Sequence, residues 1–251
     1  MLVIEDDTEL LASMTNLLSE YFTVISATDG EKGLQIIKNQ NPDLIISDVV
    51  LPILNGFELC QTIKKDLYIS HIPVILLTAK VSITDKIHGL EEGADAYLTK
   101  PFHFDVLLAQ IQSLLSNRKR VAERFRKSEH LQIQEGTHTS PDLCFLEKAI
   151  AIIEENIANS DFTVQIFQKE MNLSNSVLYR KLKALTGLSP LEFIRNIRLK
   201  KACVLLLDNQ YNISEIAYKV GFNDPKYFSI CFKKEFGKTP TEYQNIESEL
   251  S

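Results

Sequence analysis

Apolar runs and helical spacing alternate through the first 117 residues. Short apolar runs occur at 2–4, 23–25, 44–46, 74–77 and 96–98. After each run, apolar residues recur at the spacing of an amphipathic helix. Strands that are apolar throughout are typical of a parallel sheet covered by helices on both faces. The pattern predicts an α/β domain of five β-α units, with its ligand site at the carboxyl ends of the strands.

The pattern changes near residue 118. Residues 118–127 are rich in Arg and Lys and have helical spacing, and residues 129–141 are polar and contain Gly136 and Pro141. Such composition is typical of an exposed linker. Beyond Asp142 the spacing is helical throughout. We therefore predict three parts, which are an α/β domain over 1–117, a basic helical extension and linker over 118–141, and an all-α domain over 142–251.

The all-α part contains an internal repeat. The segment Gly187-Leu-Ser-Pro recurs 50 residues later as Gly237-Lys-Thr-Pro. Gly commonly ends a helix and Pro commonly begins one, so the repeat predicts two helical units in tandem. Two helices joined by a tight turn form a helix-turn-helix, whose second helix can enter the major groove of DNA. The predicted helices are 164–171 and 174–185 in the first unit, and 214–220 and 224–236 in the second.

Charge is distributed unevenly between the predicted parts of the chain. The 251 residues hold 27 basic and 33 acidic side chains, a net charge of −6 that by itself disfavours nucleic acid. Residues 1–117, however, hold 7 basic and 16 acidic side chains, whereas residues 164–238 hold 13 and 6. The acidity therefore belongs to the α/β domain, and the tandem helical part is basic.

Cysteine usage indicates a reducing compartment, and the hydropathy pattern predicts neither a membrane span nor a signal peptide. The four cysteines stand alone and the five histidines lack metal-ligand spacing, which argues against a zinc site or a disulfide framework. The sequence has neither an apolar run of about 18 residues nor the pattern of a signal peptide. We expect a cytoplasmic location without membrane contact by this segment.

Charged and hydroxyl side chains follow the predicted strands. Glu5 and Asp6 come after the first strand, Asp48 after the third, Thr78 at the end of the fourth and Lys100 at the end of the fifth. Strand ends of a parallel sheet meet at one edge, so these side chains should gather there. Clustered carboxylates suit Mg²⁺, and Asp is a competent nucleophile toward a phosphoryl group whose charge a Lys and a hydroxyl can neutralise.

The first 117 residues resemble the receiver domain of two-component response regulators, a flavodoxin-like (βα)5 fold, in the strings IEDD, DLIISDVVLPILNGFEL, PVILLTA and GADAYLTKPF. The resemblance implies that Asp48 accepts a phosphoryl group from a histidine kinase and that Thr78 and Lys100 bind its oxygens. It also implies that Tyr97 turns inward with Thr78 on phosphorylation. Asp7 we interpret as the cap of the following helix. The residues that the resemblance assigns to Mg²⁺ are Glu5, Asp6, Asp48 and the carbonyl group of Val50.

Residues 145–245 resemble the AraC-type DNA-binding domain, above all in IAYKVGFND and YFSICFKKEFGKTP. The resemblance implies a sequence-specific regulator that binds double-stranded DNA. Two positions depart from the family pattern, with Gln168 where Ala is usual and Asn172 where Gly is usual. Asn tolerates the left-handed conformation, so we expect the turn to persist. The predicted DNA contacts are Asn175, Ser176, Tyr179, Arg180 and Lys183 in the first unit, and Asp224, Lys226, Tyr227, Ser229 and Lys233 in the second, of which Lys183 and Lys233 contact phosphates.

Together these features predict a phosphorylation-controlled transcription regulator that is not an enzyme and acts as a homodimer. The face formed by residues 83–116 would change its pairing on phosphorylation. The missing leader before the first strand leads us to expect the cytoplasmic fragment of an inner-membrane hybrid protein that includes a histidine kinase. The charged residues between the two helical units are expected to serve solubility; they are Arg195, Arg198, Lys200 and Lys201.

Two alternatives stay open. A metal-dependent phosphatase also uses an Asp nucleophile, but it commonly has a second Asp two positions on, where this chain has Val50. A receiver that is never phosphorylated would serve only as a dimerisation module for the DNA-binding domain.

Overall fold

A computed structural model describes residues 1–79, 93–128, 140–208 and 210–248. The chain divides into two compact units. The first unit is Met1–Arg118 with His138–Asp142, and the second unit is Lys119–Thr137 with Leu143–Ser251. The predicted helix after the fourth strand, and most of the predicted linker, lie outside the described residues.

The first unit is built on a five-stranded parallel sheet in the order β2-β1-β3-β4-β5. This arrangement confirms the predicted α/β fold. Its strands are β1 (Leu2–Ile4), β2 (Ile25–Ala27), β3 (Ile45–Asp48), β4 (Val74–Thr78) and β5 (Ala96–Thr99). Its described helices are α1 (Thr8–Ser19), α2 (Gly30–Gln40), α3 (Gly56–Lys65) and the first part of α4 (Phe104–Lys127).

The sheet separates two apolar cores, which explains why its strands read as continuous apolar runs. Leu2 and Ile4 of β1 pack into one core, whereas Val3 between them packs into the other. Val74 and Ile75 of β4 divide in the same way. Successive side chains of a strand point to opposite faces, so a strand covered on both sides needs apolar residues at every position.

The second strand differs from its prediction. We predicted it over 23–25, and the structure places β2 at Ile25–Ala27. Its register is set by β1, because Leu2 pairs with Ile25 and Ile4 pairs with Ala27. β2 is the edge strand of the sheet, and Ser26 at its centre is exposed. An edge strand needs fewer apolar residues than a central one, so its apolar run is a poor guide to its limits.

The second unit is helical in the part of the chain that the structure describes. Besides residues 119–127 of α4 it contains α5 (Ser140–Glu155) from residue 143 onward. Its other helices are α6 (Val164–Met171), α7 (Asn175–Thr186), α8 (Pro190–Leu207), α9 (Ile213–Lys219), α10 (Pro225–Phe236) and α11 (Pro240–Ser248). α5 begins two residues before the predicted position, since Pro141 is well suited to the first turn of a helix. Among the described residues of the whole chain, no helix is long and apolar enough to cross a membrane.

The internal repeat is confirmed by the helices. α7 and α10 are each 12 residues long and begin 50 residues apart. Gly187 and Gly237 end them with φ of 71° and 79°, the left-handed conformation that favours glycine. Asn172 ends α6 with φ of 56°, which confirms that the turn persists without Gly. The segment between the left-handed residue and the second helix is one residue longer before α10, because Gly221 is followed by three residues whereas Asn172 is followed by two.

Candidate functional site

Three carboxylates meet at the carboxyl ends of β1 and β3. Glu5 follows β1, and Asp48 is the last residue of the neighbouring β3. Ligand oxygens of Glu5, Asp6 and Asp48 all lie within 4.8 Å of one another. Glu5 and Asp48 are buried, with 1% and 7% of their surface exposed, and Asp6 is exposed. The side chains therefore gather as the positions of the strand ends predict.

Lys100 supplies a positive charge to this cluster. Its Nζ donates to Glu5 Oε2 at 2.7 Å and to Asp48 Oδ2 at 2.5 Å. Burial by itself lowers the pKa of Lys100, but the hydrogen bonds to Asp48 and Glu5 outweigh it and the pKa is raised. Burial raises the pKa of Glu5, and the charge of Asp48 raises it further, against the opposing effect of Lys100. Three carboxylates against one lysine also leave the cluster short of positive charge.

The donor set fits Mg²⁺. Hard divalent cations take oxygen ligands, and one ion can reach all three carboxylates. The exposed Asp6 also leaves one side of the cluster open to water, which Mg²⁺ retains as ligands. The backbone N–H of Val50 donates to Asp48 Oδ1 at 3.1 Å and holds that carboxylate in place. The predicted use of the Val50 carbonyl stays a prediction.

The loop after β3 is packed closely against Asp48. A Cβ atom on Gly56 would lie 2.1 Å from the backbone oxygen of Asp48, so glycine is required there. Gly56 N also donates to Val49 O at 2.9 Å. On the other side of the cluster, Asp7 accepts from the backbone N–H groups of Glu9 and Leu10, which confirms its prediction as a helix cap. Local backbone contacts thus fix the positions of the acidic residues.

Thr78 and Tyr97 lie on the next two strands. Leu77 pairs with Asp48 across β3 and β4, which places Thr78 one residue beyond the carboxylate. Its hydroxyl is buried and donates to Ala79 O at 2.8 Å. Tyr97 is half-buried and packs against the core that contains Leu76, its partner in β4. The placement is compatible with the predicted roles of both residues, which remain predictions.

The predicted DNA contacts of the first helix-turn-helix lie on the outer face of α7. Leu178, Leu182 and Leu185 form its buried face. Lys183 donates from Nζ to Gly187 O at 2.8 Å, at the end of its own helix. The five predicted residues are all exposed and are Asn175, Ser176, Tyr179, Arg180 and Lys183.

The corresponding residues of α10 divide into two groups. Lys226, Tyr227 and Lys233 are exposed on its outer face. Asp224 caps the helix, because its carboxylate accepts from Lys226 N at 2.9 Å. The hydroxyl of Ser229 donates to the backbone oxygen one turn earlier, at 2.9 Å. Asp224 and Ser229 therefore already have backbone partners, whereas the other three side chains point outward.

The expectation that the charged residues of α8 serve solubility is wrong for two of them. Lys200 is only 1% exposed. Arg198 donates to Asn159 O at 2.6 Å and to Gly221 O at 3.0 Å, and burial lowers the pKa of Arg198. Lys200 shares a buried helix face with Phe193 and Ile197, and that spacing is the signal that could have identified it.

Comparison with known proteins identifies both units. Residues 1–112 match the family of response regulator receiver domains, and residues 168–246 match a helix-turn-helix domain family. Histidine kinase P4 of Formosa agariphila is 44% identical over 249 residues, which are 99% of this chain and 18% of that protein. The DNA-binding dual master transcriptional regulator RpaA of Synechocystis is 41% identical over 133 residues, 52% of this chain and 55% of that protein.

A solved structure, the signal receiver domain of a signal transduction histidine kinase from Syntrophus aciditrophicus, is 35% identical and covers 47% of this chain and 91% of that one, with a TM-score of 0.45. The chain spans less than a fifth of the first relative's length and about half of the second's. The two matched segments are the part with the parallel sheet and the part with the repeated helices. The chain therefore belongs to the response regulator receiver family over its first part and to the AraC-type helix-turn-helix family over its last part.

Proposed function

We propose that this protein is a sequence-specific transcription regulator controlled by phosphorylation of Asp48. The observation that carries the proposal is the buried carboxylate of Asp48, hydrogen-bonded to Lys100 beside two further carboxylates at the strand ends. A histidine kinase is the proposed phosphoryl donor, in the same polypeptide or in another. Nearly the whole of this chain matches part of the much longer Formosa relative, which is named a histidine kinase. This match supports a donor in the same polypeptide.

In the proposed reaction an Asp48 carboxylate oxygen attacks the phosphorus of a phosphohistidine. The new O–P bond forms as the P–N bond breaks, and the imidazole leaves with the electron pair. Lys100 neutralises negative charge on the transferred oxygens, and the Thr78 hydroxyl turns from Ala79 O toward one of them. Glu5, Asp6, Asp48 and the Val50 carbonyl would hold Mg²⁺, which supplies further charge neutralisation when bound.

The signal then passes to the DNA-binding part. We propose that Tyr97 turns inward as Thr78 moves, and that the face formed by residues 83–116 changes its pairing in a homodimer. Residues 83–92 of that face lie outside the described residues. The proposed parts are the receiver over 1–117, the extension and linker over 118–141 and the DNA-binding domain over 142–251, in a cytoplasmic location.

The basic composition of residues 164–238 and the exposed outer faces of α7 and α10 support DNA binding. On this proposal the two helices read successive parts of one DNA site in the major groove. The proposed contacts are those predicted above, with Lys226, Tyr227 and Lys233 favoured in the second unit because they point outward.

The decisive experiment is phosphoryl uptake by Asp48→Asn. With acetyl phosphate and Mg²⁺, the wild-type chain should gain one phosphoryl group by intact mass and the variant none, because the amide cannot act as the nucleophile. Asp43→Asn is the matched control, since Asp43 is an exposed aspartate just before the other end of the same strand. Full labelling of Asp48→Asn would refute the assignment.

Two further readouts separate the alternatives. Steady release of phosphate over many turnovers by the wild-type chain would indicate a phosphatase rather than a regulator. If acetyl phosphate changes neither the oligomeric state nor the DNA affinity, the receiver is only a dimerisation module. We expect slow phosphate release and a change in at least one of the other two quantities.

A further inference from the structure

The last turns of α4 are held by side chains of the second unit. We call residues 119–128 the α4 extension; they belong to the second unit with α8 and α10. The final carbonyl groups of a helix have no partner within the helix and need a donor from elsewhere. Phe125 O accepts from Lys200 Nζ at 2.6 Å, and Arg126 O accepts from Asn196 Nδ2 at 3.3 Å. Both donors lie on α8, so the α4 extension is capped by the helix that connects the two helix-turn-helix units.

Apolar contacts reinforce this attachment. The ring of Phe125 stacks on Phe193 of α8, with centroids 5.8 Å apart and planes 14° from parallel. The Nζ of Lys200 lies 4.3 Å from the centroid of the Phe125 ring, a distance typical of a cation–π contact. Ala122 and Phe125 are both buried. The α4 extension is therefore part of the core of the DNA-binding unit.

Arg126 and Asn196 also contact α10, the second helix of the second helix-turn-helix unit. Glu235 lies in the last turn of α10, and its Oε1 accepts from Arg126 Nε at 3.3 Å and from Asn196 Nδ2 at 3.1 Å. Tyr227, at the other end of α10, remains 50% exposed. The α4 extension thus contacts α10 at the end away from Lys226 and Tyr227, and leaves the outer face of the helix uncovered.

Lys200 is an unusual choice for this position. It is 1% exposed, and among the described residues no carboxylate lies within ion-pair distance of its Nζ. Burial lowers the pKa of Lys200 to about 8, although Glu235 opposes the shift. An apolar side chain of similar volume would fill the space without desolvating a charge. What lysine adds is a directional hydrogen bond that exists only while the α4 extension is docked.

We propose that the α4 extension is a brace that sets the orientation of α10 for DNA binding. With the extension bonded through Lys200 and Arg126, Glu235 is held by Arg126 as well as by Asn196, and α10 has a fixed angle to α8. Without these bonds the extension still packs on α8 but in more than one orientation, and the angle of α10 varies with it. The proposal rests on the DNA-binding function proposed above. It gives the last turns of α4 a role in how tightly the second half of a DNA site is bound.

The test uses Lys200→Met in the full chain, with Lys201→Met on the same helix as the matched control. A duplex is first selected from random DNA with the wild-type chain, and the half that α10 reads is identified as the half whose sequence no longer matters in Tyr227→Ala. Lys200→Met should bind the full site about tenfold more weakly than the wild-type chain. Its affinity for a duplex with the α10 half scrambled should stay within about twofold, as should both affinities of Lys201→Met. Amide hydrogen exchange over 225–236 should become faster in Lys200→Met.

A charge exchange at the other contact gives a second, independent readout. Arg126→Glu and Glu235→Arg should each weaken binding to the full site, and the double variant should recover most of the loss because the ion pair is re-formed. Equal affinity of Lys200→Met and wild type for the full site would overturn the brace, as would an equal loss on both duplexes or a double variant as weak as the single ones. If the wild-type chain selects no DNA, the proposed function itself fails.

Discussion

Lys100 in the first unit is partly buried and Lys200 in the second is fully buried, and the two lysines differ in what surrounds them. Lys100 in the first unit donates to two carboxylates, and its pKa is raised despite burial. Lys200 in the second unit donates to a backbone carbonyl, and burial lowers its pKa to about 8. The first environment requires a positive charge, whereas the second only tolerates one. Burial of a lysine alone therefore does not reveal whether its charge or its hydrogen bond is what the structure uses.

A third lysine lies between these extremes. Lys64 Nζ donates to Asp95 Oδ2 at 2.7 Å and to Ile72 O at 2.9 Å, so it has one carboxylate and one carbonyl partner. Its side chain is 9% exposed. The three residues thus form a series with two carboxylate partners, one and, within the described residues, none. Substitutions along this series should show how the number of carboxylates controls stability.

The largest effect is expected for Lys100→Met. Without divalent cations, its free energy of unfolding should fall by about 3 kcal/mol, because Glu5 and Asp48 are left facing each other without a counter-charge. Millimolar Mg²⁺ should restore most of the loss, since it can take the place between the carboxylates. Urea unfolding in EDTA and in Mg²⁺ measures both quantities. Equal stability of variant and wild type in EDTA would show that Lys100 does not neutralise the cluster.

A smaller loss is expected for Asp95→Asn, which removes the carboxylate partner of Lys64. Asparagine can still accept from Val74 N, which now donates to Asp95 at 2.8 Å, so the change is mainly one of charge. Because Asp95 is 33% exposed, water screens part of the interaction and we expect a loss of about 2 kcal/mol. Mg²⁺ should not restore it, in contrast to Lys100→Met. Recovery in Mg²⁺ would mean that the cation acts on the whole unit and not at the acidic cluster.

The smallest effect, and one of opposite sign, is expected for Lys200→Met. At pH 7 the variant should be more stable than the wild type by about 1 kcal/mol, because avoiding the burial of a charge outweighs the lost hydrogen bond. In the folded chain Lys200 releases its proton near pH 8, below its usual pKa of 10.5. Between pH 8 and pH 10.5 the unfolded chain binds more protons than the folded chain. The free energy of unfolding of the wild type should therefore rise relative to that of the variant as the pH rises.

Urea unfolding of both chains at pH 7 and at pH 10 tests this trend. A difference in stability that does not change with pH would show that Lys200 does not titrate below its usual range. A variant that is more stable yet binds the α10 half-site more weakly would separate the role of Lys200 in positioning from any role in stability.

Much of the first unit was predictable from sequence because its determinants are local. Central strands buried on both faces must be apolar at every position, and residues at their carboxyl ends must meet at one edge. The positions of the strand ends predicted that Glu5, Asp48 and Lys100 lie together. The limits of β2 were predicted wrongly, because an edge strand takes its limits from pairing with β1 and not from its own apolar run.

The buried polar contacts of α8 could not be predicted in the same way. Whether Lys200 faces solvent depends on Phe125, which lies 75 residues earlier in the chain and supplies both a ring and a carbonyl oxygen. Arg198 likewise depends on backbone oxygens of Asn159 and Gly221. Helical spacing shows which face of α8 is buried, but the acceptors that admit a charged group to that face come from distant segments.

The equal length of α7 and α10 has a consequence for how the proposed DNA-binding specificity can change. α7 and α10 each carry a capping side chain at the start, at Ser174 and Asp224, and a left-handed glycine at the end. The residues that begin and end each helix thus lie at its two ends. The outward residues between them can be exchanged without removing these caps. The extra residue between Gly221 and α10 lies outside the helix and does not affect these caps. On the proposed function, substitutions in one of the two helices should change the preference for one half of a DNA target and leave the preference for the other half unchanged.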